Sequence, residues 1–429
     1  MSDKRVEDKF MVLNIEERDT KSGKSKYFYL TLTDGDITIS AKKWNSNQLN
    51  DNDKDKYEEF LQSKGEVVKI IGKKEDYKGK KQIILKDLHI LENEDASKYI
   101  PQTKRDSDKM KKEFDTIVES INNKMIKNVL KEIFNDETRE KFFQAPAAKS
   151  YHHNFIGGLA EHTLQIIRMG EKIVEVYGED KINKDLLIAG ILLHDIGKIV
   201  EYSNELGNIT NTDEGKLVGH IVIGSELVEK AFEKIIKGKK DSFYKKIADK
   251  VVDFRGNVLK SKKDRAGLFQ LLENIYDNMS VNKELYKDIF KKKFDEKYKE
   301  KFSSFIFDGT AIKDNSSKKG LFGSDKNKNY SNDSFQEFFK QIRDLSFNFF
   351  RKAQENYYLK LKIKHIILAH HGQREFGAPI VPKTIEAYIV HMLDNLDAKT
   401  KKYFDLKKEN SDEKWSSYER MFNSEMFLK

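Results

Sequence analysis

The chain of 429 residues carries 80 Lys and Arg against 71 Asp and Glu, a formal net charge of +9, and contains no cysteine. This length allows two or three domains with separate cores, and the lack of cysteine excludes disulfides and thiolate metal sites. No apolar run approaches the roughly 20 residues of a spanning helix, and the charged start lacks the apolar core of a signal peptide. We therefore expect a cytoplasmic protein without a membrane partner.

The N-terminal part of the chain predicts a small β-barrel. Segments rich in β-forming residues occur at 10–16, 26–33, 36–44, 66–73 and 81–90, with a helix-compatible stretch at 50–62. Five strands with a helix after the third is the layout of an OB-fold, which often binds single-stranded nucleic acid. We place this domain at residues 1–92.

Four aromatic residues of the predicted barrel are candidates for stacking on nucleic-acid bases. They are Tyr27, Tyr29, Trp44 and Tyr77. Each of them could instead pack at the ends of the barrel, while Phe28, Leu30 and Leu32 fill its interior.

A polar linker at residues 93–108 leads into a long region of helical periodicity that has no convincing sheet. We therefore expect a multidomain α+β protein, in which a five-stranded OB-fold barrel precedes an all-α domain. The all-α domain would run from 109 to 236 and resume from 358 to 429. Residues 237–357 would form a mostly helical, partly disordered insertion.

A set of histidines and aspartates in the helical region has the composition of a site for two divalent metals. Imidazole nitrogens, one carboxylate able to bridge and one further carboxylate are the ligands that such a site requires. Most of these residues interrupt apolar helical runs, where a buried charge is costly unless a metal compensates it. The set comprises His162, His194, Asp195, His220, His370, His371 and Asp394.

Several segments around these residues resemble one known family. The phrases HHNFIGGLAEH, LLHDIGK, GH, HHG and DNLDAK resemble the HD superfamily of metal-dependent phosphohydrolases. With an OB-fold in front, the chain is most similar to the YhaM-type 3'-5' exoribonucleases. The resemblance covers residues 6–236 and 358–429.

The resemblance implies two ligand sets that share Asp195 as the bridge. His162, His194 and Asp394 would hold one ion, and His220, His370 and His371 would hold the other. A mixed set of histidine and carboxylate favours Mn²⁺, with Fe²⁺, Co²⁺ or Mg²⁺ as alternatives.

The same resemblance suggests roles for further residues. Lys198, placed on the same helix as Asp195, would contact a phosphate oxygen. His153, and with less support His152, would contact substrate or protonate the leaving group, and Asp397 would orient a ligand. His391 could support a ligand or belong to the core.

The segment from 237 to 357 departs from the family pattern. It carries 28 Lys and Arg against 18 Asp and Glu, which accounts for the net basicity of the chain. Such a surplus suits contact with a polyanion, but it also suits an ordinary solvated helical face. The insertion could clamp RNA, cap the pocket, or mediate self-association or binding of a partner protein.

The expected function is a metal-dependent 3'-5' exoribonuclease that converts single-stranded RNA, and possibly single-stranded DNA, to nucleoside 5'-monophosphates. One alternative is an HD phosphodiesterase for a cyclic or short oligonucleotide signal, although the sequence after His371 lacks the GYP continuation of cyclic-dinucleotide enzymes. The other alternative is a non-catalytic nucleic-acid-binding or assembly protein.

Overall fold

The computed structural model describes residues 5–77, 80–149, 153–205, 207–255, 270, 272–273, 287–306, 332–410 and 413–429. The chain divides into two compact units. The first comprises Met1–Val228 and Ile363–Lys429, and the second comprises Glu229–Lys362. The insertion predicted at 237–357 falls inside the second unit. None of the helices in the described part of the chain has the length and apolar character that a membrane crossing requires.

The first unit opens with a closed five-stranded barrel, which confirms the predicted OB-fold. Around the barrel the strands follow the order β1-β2-β3-β5-β4, and β4 pairs with β1 to close it. Only the pairing of β3 with β5 is parallel. Helices α1 (Ser46–Asn52) and α2 (Lys54–Gln62) lie between β3 and β4. The strands are β1 Arg5–Asp19, β2 Lys26–Thr33, β3 Thr38–Trp44, β4 Val67–Tyr77 and β5 Lys80–Ile90.

Alternation along β2 separates the two faces of the barrel wall. Phe28, Leu30 and Leu32 are fully buried, as predicted, and Phe28 stacks on Phe60 of α2 at 5.4 Å between ring centres. Tyr27, directly before Phe28, lies on the other face of the strand. A register slip of one residue would exchange the two faces, so burial of the apolar set fixes the strand register.

The turn between β2 and β3 contacts the chain that follows the barrel. Gly35 has φ of +93°, and a Cβ there would lie 2.9 Å from the carbonyl oxygen of Lys98. The next residue, Asp36, pairs with Lys104 at 2.7 Å and with Lys408 at 3.1 Å. These contacts join the barrel to the helical part of the same unit.

The helical part of the first unit is built around α7 (Lys184–Leu193). Every residue of α7 from Leu186 onward is buried, as expected for a helix that is apolar on all sides. Neighbouring helices approach it closely at glycines: a Cβ on Gly190 would lie 2.6 Å from Ile366. The other helices of this part are α3 Ser107–Ser120, α4 Lys124–Ile133, α5 Asp136–Gln144, α6 Gly158–Tyr177, α8 Lys198–Glu201, α9 Asp213–Leu217 and α13 Ile385–Glu409.

A short hairpin, β6 (Tyr202–Glu205) with β7 (Asn208–Asn211), interrupts the helices. The sequence analysis missed it because both strands are only four residues long and mostly polar. Gly207, in the turn, has φ of +86°, and a Cβ there would lie 3.0 Å from Pro101. The hairpin therefore depends on a tertiary contact that periodicity does not reveal.

The second unit has its own aromatic core. It contains α11 (Lys287–Ile306) and parts of α10 (His220–Arg255) and α12 (Asn332–Ala369). The sequence has a disorder-prone stretch at 314–334, of which 314–331 lie outside the described residues and the last three residues belong to α12. Most of a helical stretch predicted at 268–279 also lies outside the described residues. The buried aromatic residues of this core are Phe243, Tyr244, Phe294, Tyr298, Phe302, Phe338, Phe339 and Phe350.

Candidate metal centre

The structure brings the seven predicted ligands together from five places in the chain. His162 lies within α6, and Asp394 lies within α13. His220 is the first residue of α10. His194 and Asp195 follow α7, and His370 and His371 follow α12. Five of these seven side chains therefore project from helix ends and the turns beside them.

Asp195 lies at the middle of the group and is only 3 % exposed. Its Oδ2 atom is 3.8 Å from Nε2 of His162 and 3.3 Å from Nε2 of His194. Its Oδ1 atom is 3.6 Å from Nε2 of His220 and 3.4 Å from Nε2 of His370. Each carboxylate oxygen thus faces a different pair of imidazoles, which is the geometry that a bridging ligand requires.

Two half-sites follow from this division. The first half-site consists of His162, His194 and Asp394, and Oδ1 of Asp394 is 3.3 Å from Nε2 of His162. The second half-site consists of His220, His370 and His371, whose ligand atoms lie within 4.8 Å of one another. Each half-site contains one of the two ligand sets that the resemblance implied.

Four imidazoles are oriented through their Nδ1 atoms. His194 and His370 each donate to the carbonyl oxygen three residues earlier, at 2.7 Å in both cases. His162 Nδ1 lies 2.7 Å from Asp397 Oδ2, and His220 Nδ1 lies 2.9 Å from Glu201 Oε2. Because Nδ1 of each ring faces one of these acceptors, Nε2 is the nitrogen that faces Asp195 and is left for a cation.

The unsatisfied atoms of the centre fit divalent cations. Within the described part of the chain, Nε2 of His194, His220 and His370, Nδ1 of His371 and Oδ1 of Asp195 are buried without a hydrogen-bond partner. Leaving a buried polar atom unpaired costs about 1–3 kcal/mol. Cations placed between these nitrogens and the carboxylate would satisfy all of them.

The ionisation of the centre also suits metal binding. Burial opposes ionisation of Asp195, but Lys198 and His194 hold its pKa well below the ordinary value. Burial, together with His370, lowers the pKa of His371 to about 3, so this ring is neutral at pH 7. Burial disfavours the charged form of His162, but Asp394 and Asp397 raise its pKa to about 9. A cation must therefore displace a proton from His162.

Lys198 lies beside Asp195. The prediction that the two residues share one helix is wrong. α7 ends at Leu193, residues 194–197 form a turn, and Lys198 begins α8. The turn places Nζ of Lys198 2.6 Å from Oδ2 of Asp195. Within the turn, Gly197 is required because a Cβ there would lie 2.0 Å from the carbonyl oxygen of His220. Contact of Lys198 with phosphate stays a prediction.

His153 requires a correction. The ring is 1 % exposed, and its Nε2 atom lies 3.1 Å from Oδ2 of Asp397, which also holds His162. A buried ring in this position does not support the predicted contact with substrate or the leaving group. It supports a structural partner of Asp397 instead. His152 lies outside the described residues.

Sequence reasoning missed Glu201 and the close contact of Gly372 with His391. Glu201 is buried and orients His220; its signal was a carboxylate at the end of the apolar run HDIGKIVE. Gly372 has φ of +75°, and a Cβ there would lie 2.1 Å from the His391 ring. That ring donates to the carbonyl oxygen of His370 at 2.9 Å, so His391 supports a ligand through the backbone.

Three of the four predicted stacking residues form a surface on the barrel, here termed the aromatic face. The Tyr27 and Trp44 rings lie 4.9 Å apart, and Trp44 is 42 % exposed. The Arg18 guanidinium lies 4.0 Å above the Tyr29 ring, and Lys42 Nζ lies 5.5 Å from the Trp44 ring. Aromatic rings interleaved with cations are typical of surfaces that bind single-stranded nucleic acid. The side chain of Tyr77 lies outside the described residues.

Comparison with known proteins agrees with this architecture. The family model of the HD domain matches residues 159–266, and that of an OB-fold nucleic acid binding domain matches residues 11–91. The chain therefore contains an N-terminal OB-fold followed by an HD domain.

Its curated relatives include proteins named 3'-5' exoribonuclease YhaM. The relative from Listeria innocua is 27% identical over 229 residues, which cover 53% of this chain and 69% of the relative. The relative from Geobacillus is 28% identical over 53% of this chain and 67% of its own length. The relative from Bacillus pumilus is 33% identical over 49% of this chain and 64% of its own length.

Proposed function

We propose that this protein is a metal-dependent exoribonuclease that degrades single-stranded RNA from its 3' end and releases nucleoside 5'-monophosphates. The HD domain and the relatives named exoribonucleases support the enzyme class. The observation that carries the proposal is the position of Asp195, whose two oxygens face two separate sets of histidines. The cytoplasmic location, activity on single-stranded DNA and a partner bound through residues 237–357 stay predictions.

The ligand chemistry favours Mn²⁺ as the ion, because imidazole and carboxylate together suit transition ions better than Mg²⁺. Divalent cations, when bound, supply Lewis-acid activation of water and of the phosphoryl group. His162, His194 and Asp394 would hold one ion, His220, His370 and His371 would hold the other, and Asp195 would contact both. Lys198, which now neutralises Asp195, would contact a phosphate oxygen of the bound RNA.

The barrel favours a polynucleotide over a small signalling nucleotide as substrate. Stacking on the aromatic face would retain the strand by contacts that do not depend on base sequence. A hydrolase of a cyclic or short oligonucleotide gains nothing from such a surface. We therefore assign the aromatic face to the strand and the metal centre to its 3' end.

The direct test uses 5'-labelled single-stranded RNA with either a free or a blocked 3' end, incubated with purified protein and Mn²⁺. We expect progressive shortening of the free strand only, with nucleoside 5'-monophosphates identified by chromatography. Single-stranded DNA of the same sequence tests the sugar requirement. Tight binding of intact RNA across a range of divalent metals would refute the enzyme assignment and favour a binding protein.

Changes on the aromatic face should weaken RNA binding without affecting the chemistry. We expect Trp44→Ala to lower the affinity for a long single strand by about 5- to 100-fold, since each stacked base contributes about 1–3 kcal/mol. Affinity would be measured by fluorescence anisotropy, and turnover with saturating short RNA should remain unchanged.

The matched control for Trp44 is Trp415, which is 54 % exposed near the C-terminus and packs against Phe427. Trp415→Ala removes the same exposed indole outside the barrel and should leave RNA affinity unchanged. Equal losses in the two variants would contradict the assignment of the aromatic face.

A further inference from the structure

Asp397 lies outside the seven ligands but holds two imidazoles at once. Its Oδ2 atom is 2.7 Å from Nδ1 of His162 and 3.1 Å from Nε2 of His153. The carboxylate is only 7 % exposed. A buried carboxylate that accepts two hydrogen bonds from imidazoles has little freedom to rotate, so it fixes the orientation of both rings.

The backbone at His153 is strained, which indicates that the surrounding structure holds this residue in position. Its φ is +54°, in the left-handed region, which is unfavourable by about 1–2 kcal/mol for a residue other than glycine. The turn is held because the amide of Ala147 donates to the carbonyl oxygen of His153 at 3.0 Å. Gly158 allows this arrangement, since a Cβ there would lie 2.1 Å from the same oxygen. Strain of this kind persists where the surrounding structure requires it.

Two further side chains support His153: Glu161 of α6, and Thr103 in the linker that follows the barrel. Oε1 of Glu161 lies 3.7 Å from Nδ1 of His153. The hydroxyl of Thr103 donates to the other oxygen of Glu161, and the amide of Thr103 donates to the carbonyl oxygen of Ile156 at 2.8 Å. The imidazole of His162 is thus supported by four successive side chains that are not themselves predicted ligands: Asp397, His153, Glu161 and Thr103.

The second half-site contains one comparable carboxylate. Glu201 is 8 % exposed, and its Oε2 atom lies 2.9 Å from Nδ1 of His220. The other two oriented imidazoles, His194 and His370, bond to backbone carbonyls. Each half-site therefore has one histidine held by the main chain and one held by a carboxylate that substitution can remove.

We propose that Asp397, itself held by His153, is the positioning residue of the first half-site, and that Glu201 has the same role in the second. A carboxylate on Nδ1 fixes the tautomer, aims Nε2 at the ion and increases its basicity. The inference rests on the proposed two-ion centre. It adds that the affinities of the two ions are set by different residues.

The experiment measures binding of Mn²⁺ alone to metal-free full-length protein by titration calorimetry. We expect two ions per wild-type chain. Asp397→Ala should weaken one ion by about 10- to 100-fold, the usual effect of losing such a partner, and leave the other unchanged. Asp397→Asn, which retains the shape and an acceptor oxygen without the charge, should show a smaller loss at the same ion.

Double variants distinguish positioning from a general structural effect. In a background of Asp394→Ala, which disables the first half-site, Asp397→Ala should cause no further loss at the remaining ion. In a background of His371→Ala, which disables the second half-site, it should cause its full loss. Glu201→Ala is the matched control and should show the opposite dependence on background.

The outcomes separate this inference from the proposed function. Wild-type protein that binds no Mn²⁺ would refute the two-ion centre itself. Two ions bound with unchanged affinity in Asp397→Ala would overturn only the positioning role. Equal losses of affinity for the remaining ion in the two backgrounds would also overturn it, because Asp397 would then act on the fold as a whole.

Discussion

Asp195→Asn should abolish the Mn²⁺-dependent shortening of RNA. Asparagine has the same shape, but its amide nitrogen cannot be a ligand, so only one of the two half-sites keeps an oxygen from this position. Two-metal centres supply several kcal/mol of charge stabilisation in the transition state, and each 1.4 kcal/mol is a factor of ten in rate. We expect a loss of roughly 10³-fold or more, measured as initial rates on 5'-labelled RNA.

The matched control is Asp213→Asn on α9, where the carboxylate is 95% exposed. It makes the same chemical change on the surface and should retain wild-type activity. The Asp195→Asn protein should still bind RNA, because its barrel is unchanged. Activity of Asp195→Asn within a few-fold of wild type would contradict the bridging role.

Removal of the metal should lower the thermal stability of the first unit. Two ions, each present at about 100 times its dissociation constant, would together stabilise the folded state by about 5 kcal/mol. For a domain of this size, each kcal/mol corresponds to roughly 2–4 °C in midpoint. We therefore expect chelation to lower the midpoint by roughly 10–20 °C, measured by calorimetry with and without added Mn²⁺.

The Asp195→Asn protein provides the control for this measurement. Its midpoint should rise less on addition of Mn²⁺ than that of wild type, because only one half-site keeps an oxygen ligand from position 195. A shift equal to that of wild type would place the stabilising ions elsewhere in the molecule.

The barrel could be predicted because its sequence signals are local. Alternation in β2 separates Phe28 and Leu30 from Tyr27, and this pattern determines which face is buried. The first strand was predicted too short, as 10–16 instead of Arg5–Asp19. Its N-terminal residues are mostly charged, and they extend the strand because β4 supplies pairing partners as far as Arg5.

The seven candidate ligands could be singled out because charged or polar residues in apolar helices need compensation. Which ligand Asp397 orients could not be predicted, since its contact with His162 joins positions 235 residues apart. His153 illustrates the limit: the sequence indicated its importance, but only tertiary structure separates a buried support from a group that contacts substrate.

The second unit illustrates a different limit. Its aromatic residues predict helices with a core, and Phe243, Phe294 and Phe339 belong to one. The lysines of the same segment fit an ordinary solvated face as well as a polyanion site, because charge composition alone does not select a partner.

The contacts of Asp36 with Lys104 and Lys408 have a consequence for the substrate. They join the barrel to the helical part of the same unit, which contains both the aromatic face and the metal centre. On the proposed path, an RNA strand must be longer than the distance between these two sites to occupy both of them. The protein would thus release an RNA fragment once the fragment becomes too short to reach from the aromatic face to the metal centre.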